Sequence, residues 1–105
     1  ALLSKMSERG QISGCIVDGP FALDNALSRK SCETKGIRTE VGGDADVLLM
    51  PDIEAANIFY KTLAFFTDAK IAALTIGAKV PVVLSSRSDS DAIKYNSILG
   101  AVSIA

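Results

Sequence analysis

The densest run of reactive side chains is Ser85-Ser86-Arg87-Ser88-Asp89-Ser90-Asp91, directly after the apolar residues 80–84. An arginine on a loop entering a helix combines a fixed cation, a bidentate donor fork and the helix's unpaired amides, a set suited to an anionic phosphate. The serine hydroxyls beside it can donate to a phosphate or carbonyl oxygen. Asp89 and Asp91 would repel a phosphate unless they turn away, as helix caps or as proton acceptors. Two further junctions carry polar groups: Asp18-Gly19-Pro20, and the segment 51–57 leading to Tyr60 and Lys61. Asn57 and Lys61 stand four apart and share one helical face. Gly77 and Lys79 form a third, weaker polar point. Ordinary capping and a solvated helix edge need the same residue types, so the residues themselves define a candidate anion site at Arg87 and no more.

These side chains need elements to hold them, and the pattern reads as alternating helices and strands. A helix tail over 2–9 ends at Gly10, a residue that tolerates the left-handed conformation at a helix C-terminus. Residues 12–17 form an apolar run containing Cys15, closed by the Asp-Gly-Pro turn. Residues 21–28 favour a helix, and the polar stretch 29–36 is a surface helix or loop. Gly42-Gly43 delivers the run 47–50, which Pro51 ends. Asp52 is a good N-cap for the clearest helix, 53–66, with Ile53, Ala56, Tyr60, Leu63 and Ala64 along one stripe. Runs 71–76 and 80–84 are β-rich and separated by Gly77-Ala78-Lys79. Ser88, with Asp91 three residues on, predicts the start of a last helix whose apolar seam is Ile98, Val102 and Ala105. The expected fold class is α/β: alternating strands and helices, a mostly parallel sheet, and helices on both faces.

Composition removes whole classes of mechanism. The 105 residues contain no histidine, which excludes Ser-His and Cys-His nucleophile pairs and histidine metal sites made within this chain. Cys15 and Cys32 lack metal-ligand or redox-motif spacing and are expected as reduced thiols, Cys15 buried in a strand. No metal site is expected. Eleven basic and twelve acidic residues leave no positive excess for a nucleic-acid backbone. No apolar run approaches the roughly 18–20 residues that span a bilayer, so no membrane partner is expected. The first residues place their charge after the apolar ones, the wrong order for a signal peptide, and lack an initiator Met.

At the three polar junctions the sequence resembles the phosphate acetyl/butyryl transferase family. The segments that carry the resemblance are IVDGPFALDNA (16–26), GDADVLLMPDIEAANIFYK (43–61) and GAKVPVVLSSRSDS (77–90), in the family's order. The wording around Asp52–Lys61 and Ser86–Ser90 is more similar to the phosphate butyryltransferase branch than to the acetyl branch. The resemblance implies transfer of an acyl group between coenzyme A and inorganic phosphate, by direct attack without a covalent acyl-enzyme. Coenzyme A and phosphate are then substrates, with no tightly bound cofactor. Ser86 and Arg87 match the family's Ser-Arg pair: the arginine neutralises phosphate and the serine hydrogen-bonds near the thioester. Either Asp91 or Asp89 corresponds to the aspartate that accepts the CoA thiol proton, and aligning the helices selects Asp91 at the cost of a short deletion. Asp18, Asn57, Tyr60, Lys61, Gly77 and Lys79 are the implied substrate- and CoA-binding residues. Ala56 stands where the family usually has Gly.

The resemblance also implies a cytoplasmic enzyme that forms homodimers or larger homo-oligomers, with its cleft between two α/β domains. The chain matches only the C-terminal portion of such enzymes. Residues 1–79 are expected to be part of the second domain, and 80–105 a strand and helix that pack on a missing first domain. Such a piece is expected to be inactive by itself. A phosphate acetyltransferase is the alternative within the class; a non-catalytic α/β domain for anion or CoA binding, or for assembly, is the alternative outside it.

Overall fold

The computed structural model describes residues 1–105, which divide into two compact units, Ala1–Leu49 and Met50–Ala105. Five helices make up the regular structure: α1 (Leu2–Glu8), α2 (Leu23–Leu27), α3 (Arg29–Thr34), α4 (Ile53–Phe66) and α5 (Asp91–Ser103). No helix is long and apolar enough to cross a membrane.

In the first unit the helices follow local chemistry. Gly10 has φ of 71°, and its amide bonds to Ser7 O at 2.9 Å, closing α1. The Ser28 hydroxyl caps α3 by accepting from the Ser31 amide at 3.2 Å. A small core forms where α2 meets α3: Asn25, Ala26 and Cys32 are buried, and the Cys32 thiol donates to Asn25 O at 3.1 Å. The turn at Gly43 closes this core, with its amide bonded to Asn25 O and Ala26 O at 3.0 and 3.1 Å. Gly43 has φ of 80°, and a Cβ there would stand 2.2 Å from the Arg29 amide nitrogen, so only glycine fits.

The second unit is built on α4 and α5. Asp52 caps α4 through a 2.7 Å bond from the Ala55 amide. Ala56, Tyr60, Leu63 and Ala64 of the expected stripe are half-buried, whereas Ile53 is exposed. The cap of α5 is Ser90, accepting from the Ile93 amide at 3.3 Å, rather than Ser88. Its inward seam is Ile93, Ser97 and Ala101; Ile98 and Val102 are exposed. The Ser97 hydroxyl explains that choice, since it accepts from the Ala73 amide at 2.9 Å and donates to Ile93 O at 2.7 Å. Gly100 lets Leu74 approach the helix closely.

The expected α/β class, with a mostly parallel sheet covered by helices on both faces, is not what the chain forms. The strand-like runs 12–17, 47–50, 71–76 and 80–84 carry no ladder, the first is broken by bends around Gly14 at φ of 81°, and the β pairing is one isolated antiparallel bridge, Thr75 with Val82. Apolar patterning identifies a segment able to enter a sheet; it does not supply the neighbour whose N–H and C=O groups complete it. The connection over 77–79 is also far too short for a parallel crossover, which takes a dozen or more residues. With Gly77 at φ of 95° it turns the chain back, and the Thr75 amide reaches Val82 O at 2.9 Å. Val47, Leu49, Ile76, Val80 and Leu84 consequently remain exposed. The cysteines are both free, but the buried one is Cys32, on α3; Cys15 is exposed and lies in no strand.

Candidate functional site

The second unit brings the third turn of α4 against the loop that enters α5. The Lys61 ammonium donates to Ser86 Oγ at 2.9 Å and to Ser88 Oγ at 3.2 Å, and lies 3.8 Å from Asp89 Oδ1. The two serine oxygens are 3.0 Å apart. Asp89 closes the loop on itself, because its other carboxylate oxygen accepts the Ser86 amide at 2.7 Å. That arrangement leaves the Asp89 side chain only 2% exposed.

The buried charge of this loop, Asp89, is matched by its neighbours. Burial by itself raises the Asp89 carboxyl, but the Tyr60 hydroxyl, the Ser86 amide, Lys61 and Lys94 outweigh it and hold the group below the usual carboxylate range. The Tyr60 hydroxyl is buried close to this carboxylate without a hydrogen bond of regular geometry. Burial, and then the facing Asp89 charge, push the Tyr60 phenol up to about 12. Tyr60 is thus a neutral donor at ordinary pH, and Asp89 an anion already committed to its neighbours.

A cleft of about 470 Å³ opens beside the loop, with Ile53, Ala56, Tyr60 and Leu84 as apolar wall and Lys61 and Ser86 among its polar groups. A second, shallower groove of about 330 Å³ runs along α4 past Asn57, Lys61 and Phe65. Asn57 and Lys61 border both. Arg87 follows Ser86, is exposed, and makes no hydrogen bond or ion pair within the chain. Asp91 is also fully exposed, at the first turn of α5 and 3.7 Å from Lys94.

The structure therefore gathers Ser86, Asp89, Tyr60, Lys61 and Asn57 around one cleft, with Arg87 next to Ser86 in the same loop. Gly77 and Lys79 lie on the turn after Thr75 and do not line it. Asp18 belongs to the first unit, where its carboxylate accepts the Thr39 hydroxyl at 2.6 Å and the Gly19 amide at 2.8 Å. Ser88 is one of the serine hydroxyls that the sequence places beside Arg87, but the lysine it shares with Ser86 lies 27 positions away and no local pattern predicts that contact.

Chemically, the loop offers an unpaired guanidinium and a serine hydroxyl held in place beside a partly apolar cleft, while the exposed Asp91 carboxylate follows in the first turn of α5 and does not line that cleft. Residues 1–102 match the Phosphate acetyl/butaryl transferase family. The chain is 60% identical over 98 residues to phosphate acetyltransferase of Thermotoga maritima, covering 93% of this chain and 33% of that protein. It is 53% identical over 105 residues to phosphate butyryltransferase of Clostridium beijerinckii, covering 100% of this chain and 35% of that protein. It also resembles the crystal structure of a branched-chain phosphotransacylase from Enterococcus faecalis V583, with TM-score 0.78 and 38% identity over 96% of this chain and 39% of that one. The chain spans about a third of the length of the curated relatives it matches. Its motifs and its near-complete match together make this chain a member of the phosphate acetyl/butyryl transferase family.

Proposed function

We propose that the chain is the C-terminal part of a phosphate acyltransferase that moves a butyryl or similar short acyl group between coenzyme A and inorganic phosphate. The observation that carries this reading is the unpaired Arg87 guanidinium directly after a serine whose hydroxyl is tethered at the mouth of a cleft. In the reaction a phosphate oxygen attacks the thioester carbonyl carbon, the C–S bond breaks, and acyl phosphate and CoA result. Arg87 pairs with the phosphate, reducing its repulsion from the developing oxyanion, and Ser86 donates toward the carbonyl oxygen. Positioning and charge stabilisation suffice for such a transfer without histidine.

Of the two aspartates, Asp91 is the better proton acceptor for the CoA thiol in the reverse direction. Its carboxylate is free to solvent, whereas Asp89 is buried and already holds the Ser86 amide. Asn57, Tyr60 and Lys61 border the substrate cleft; Asp18, Gly77 and Lys79 are proposed to meet the CoA substrate away from it.

Segment 80–105 is proposed to pack on a further domain of the longer protein. Supporting this are the exposed apolar side chains Ile98, Leu99, Val102 and Ile104 on α5 and the relatives' threefold greater length. The 105 residues are accordingly expected to be inactive alone, and the complete enzyme to be cytoplasmic and a homodimer or larger homo-oligomer. A preference for acetyl over butyryl is the second reading, favoured by the 60% identity to an acetyltransferase against 53% to a butyryltransferase.

The test is phosphate-dependent release of free CoA thiol from butyryl-CoA and acetyl-CoA by the full-length protein that carries this chain. Release should occur, and R87A should abolish it. No release with either substrate, or an unchanged rate in R87A, refutes the enzymatic reading and leaves a non-catalytic anion-binding or assembly role. The ratio of the two rates decides the acyl preference.

A further inference from the structure

We propose that Lys61 is a positioning residue for the Ser86 hydroxyl, fixing it as a hydrogen-bond donor toward the acyl carbonyl oxygen; this rests on the acyltransferase reading above. The ammonium group has only protons to give. At 2.9 Å from Ser86 Oγ and 3.2 Å from Ser88 Oγ it must be the donor in both contacts. Each serine oxygen then has one lone pair occupied by Lys61 and keeps its own proton to donate. Ser88, 3.0 Å away, can spend its proton on Ser86 Oγ, which leaves the Ser86 proton directed away from both partners and into the cleft that Ser86 lines. Donation from a cation also polarises the Ser86 O–H and strengthens it as a donor.

The loop is gripped at two independent points. Asp89 holds the Ser86 main chain through its amide at 2.7 Å, and Lys61 holds the side chain. Lys61 is nearer to the two hydroxyls than to the Asp89 carboxylate at 3.8 Å, so neutralising Asp89 is not its main contact. Its ammonium also lies 5.0 Å from the Tyr60 ring centroid, an interaction that limits its freedom to swing toward a substrate phosphate. Direct binding of phosphate or of CoA would require it to release these partners.

The experiment compares wild type, K61M, S86A and the double variant of the full-length protein in the phosphate-dependent thiol-release assay. Losing the aligned donor should lower kcat in K61M by roughly 10- to 100-fold, with KM for acyl-CoA and for phosphate within about threefold. K61R, which keeps a cationic donor, should recover most of kcat. In the S86A background K61M should cost less than about a further threefold, because the group it acts through is gone. Losses that multiply independently, or a K61M effect confined to KM, overturn the assignment. If K61M loses its cooperative thermal transition, K61Q takes its place, with an intermediate kcat and the same non-additivity expected. A wild-type protein that releases no thiol overturns the acyltransferase reading together with this one; an active wild type with independent losses overturns only the role of Lys61.

Discussion

Replacing Asp89 and Asp91 separately by asparagine sets two carboxylates two residues apart against each other. Asp89 is buried, accepts the Ser86 amide at 2.7 Å and faces Lys61 at 3.8 Å. A charge-assisted hydrogen bond of this kind contributes about 1.5–3 kcal/mol, and the longer contact to a one-third exposed lysine adds at most about 1 kcal/mol. D89A, which removes both, should therefore cost about 2–4 kcal/mol of unfolding free energy, and D89N, which keeps a neutral acceptor, about 1–2 kcal/mol. Because the folded carboxyl sits below its ordinary value, its stabilisation is complete above the unfolded pKa and is lost as pH falls through the folded one. D89N should flatten that acid limb. Asp91 is fully exposed at a helix N-terminus, so D91N should leave stability nearly unchanged. On the proposed reading, in which Asp91 accepts the CoA thiol proton, D91N should nevertheless slow acyl transfer from acyl phosphate to CoA by about 10²–10⁴-fold, against tenfold or less for D89N. Urea unfolding monitored by circular dichroism and a CoA-consumption assay read the two effects separately. If D89N abolishes turnover with stability intact while D91N is silent, Asp89 is the proton acceptor and the division of roles drawn from burial is wrong.

The elevated Tyr60 pKa makes the fold sensitive to base. The stabilisation is whole below the unfolded value near 10 and declines as pH rises toward about 12, by about 1–2 kcal/mol after screening at the cleft, so Y60F should remove this alkaline slope in urea titrations between pH 9 and 12. Ser97 is fully buried and satisfies the Ala73 amide, so S97A should lower stability by about 1–3 kcal/mol with little change in KM for either substrate.

What the sequence determined alone is the local part of this protein. Helix α4 lies over the residues that its Asp52 cap and apolar spacing predict, and Gly10 closes α1, because a helix completes its hydrogen bonds within its own segment. The Ser86-Arg87 motif was legible for a similar reason: adjacent residues remain adjacent however the chain folds. Tertiary structure decided whatever needed a distant partner. The runs 47–50 and 71–76 read as strands, yet strand pairing depends on neighbours that apolar patterning cannot name, and only Thr75 with Val82 found a bridge. The seam of α5 moved from Ile98 and Val102 to Ile93, Ser97 and Ala101, because the Ala73 amide had to be satisfied and small residues permitted the close approach. Burial separated Asp89 from Asp91, and the fold alone brought Lys61 to Ser86 across 25 residues of sequence. Covalent order sets which reactive groups the chain possesses; packing sets which of them are held, and which remain free to act.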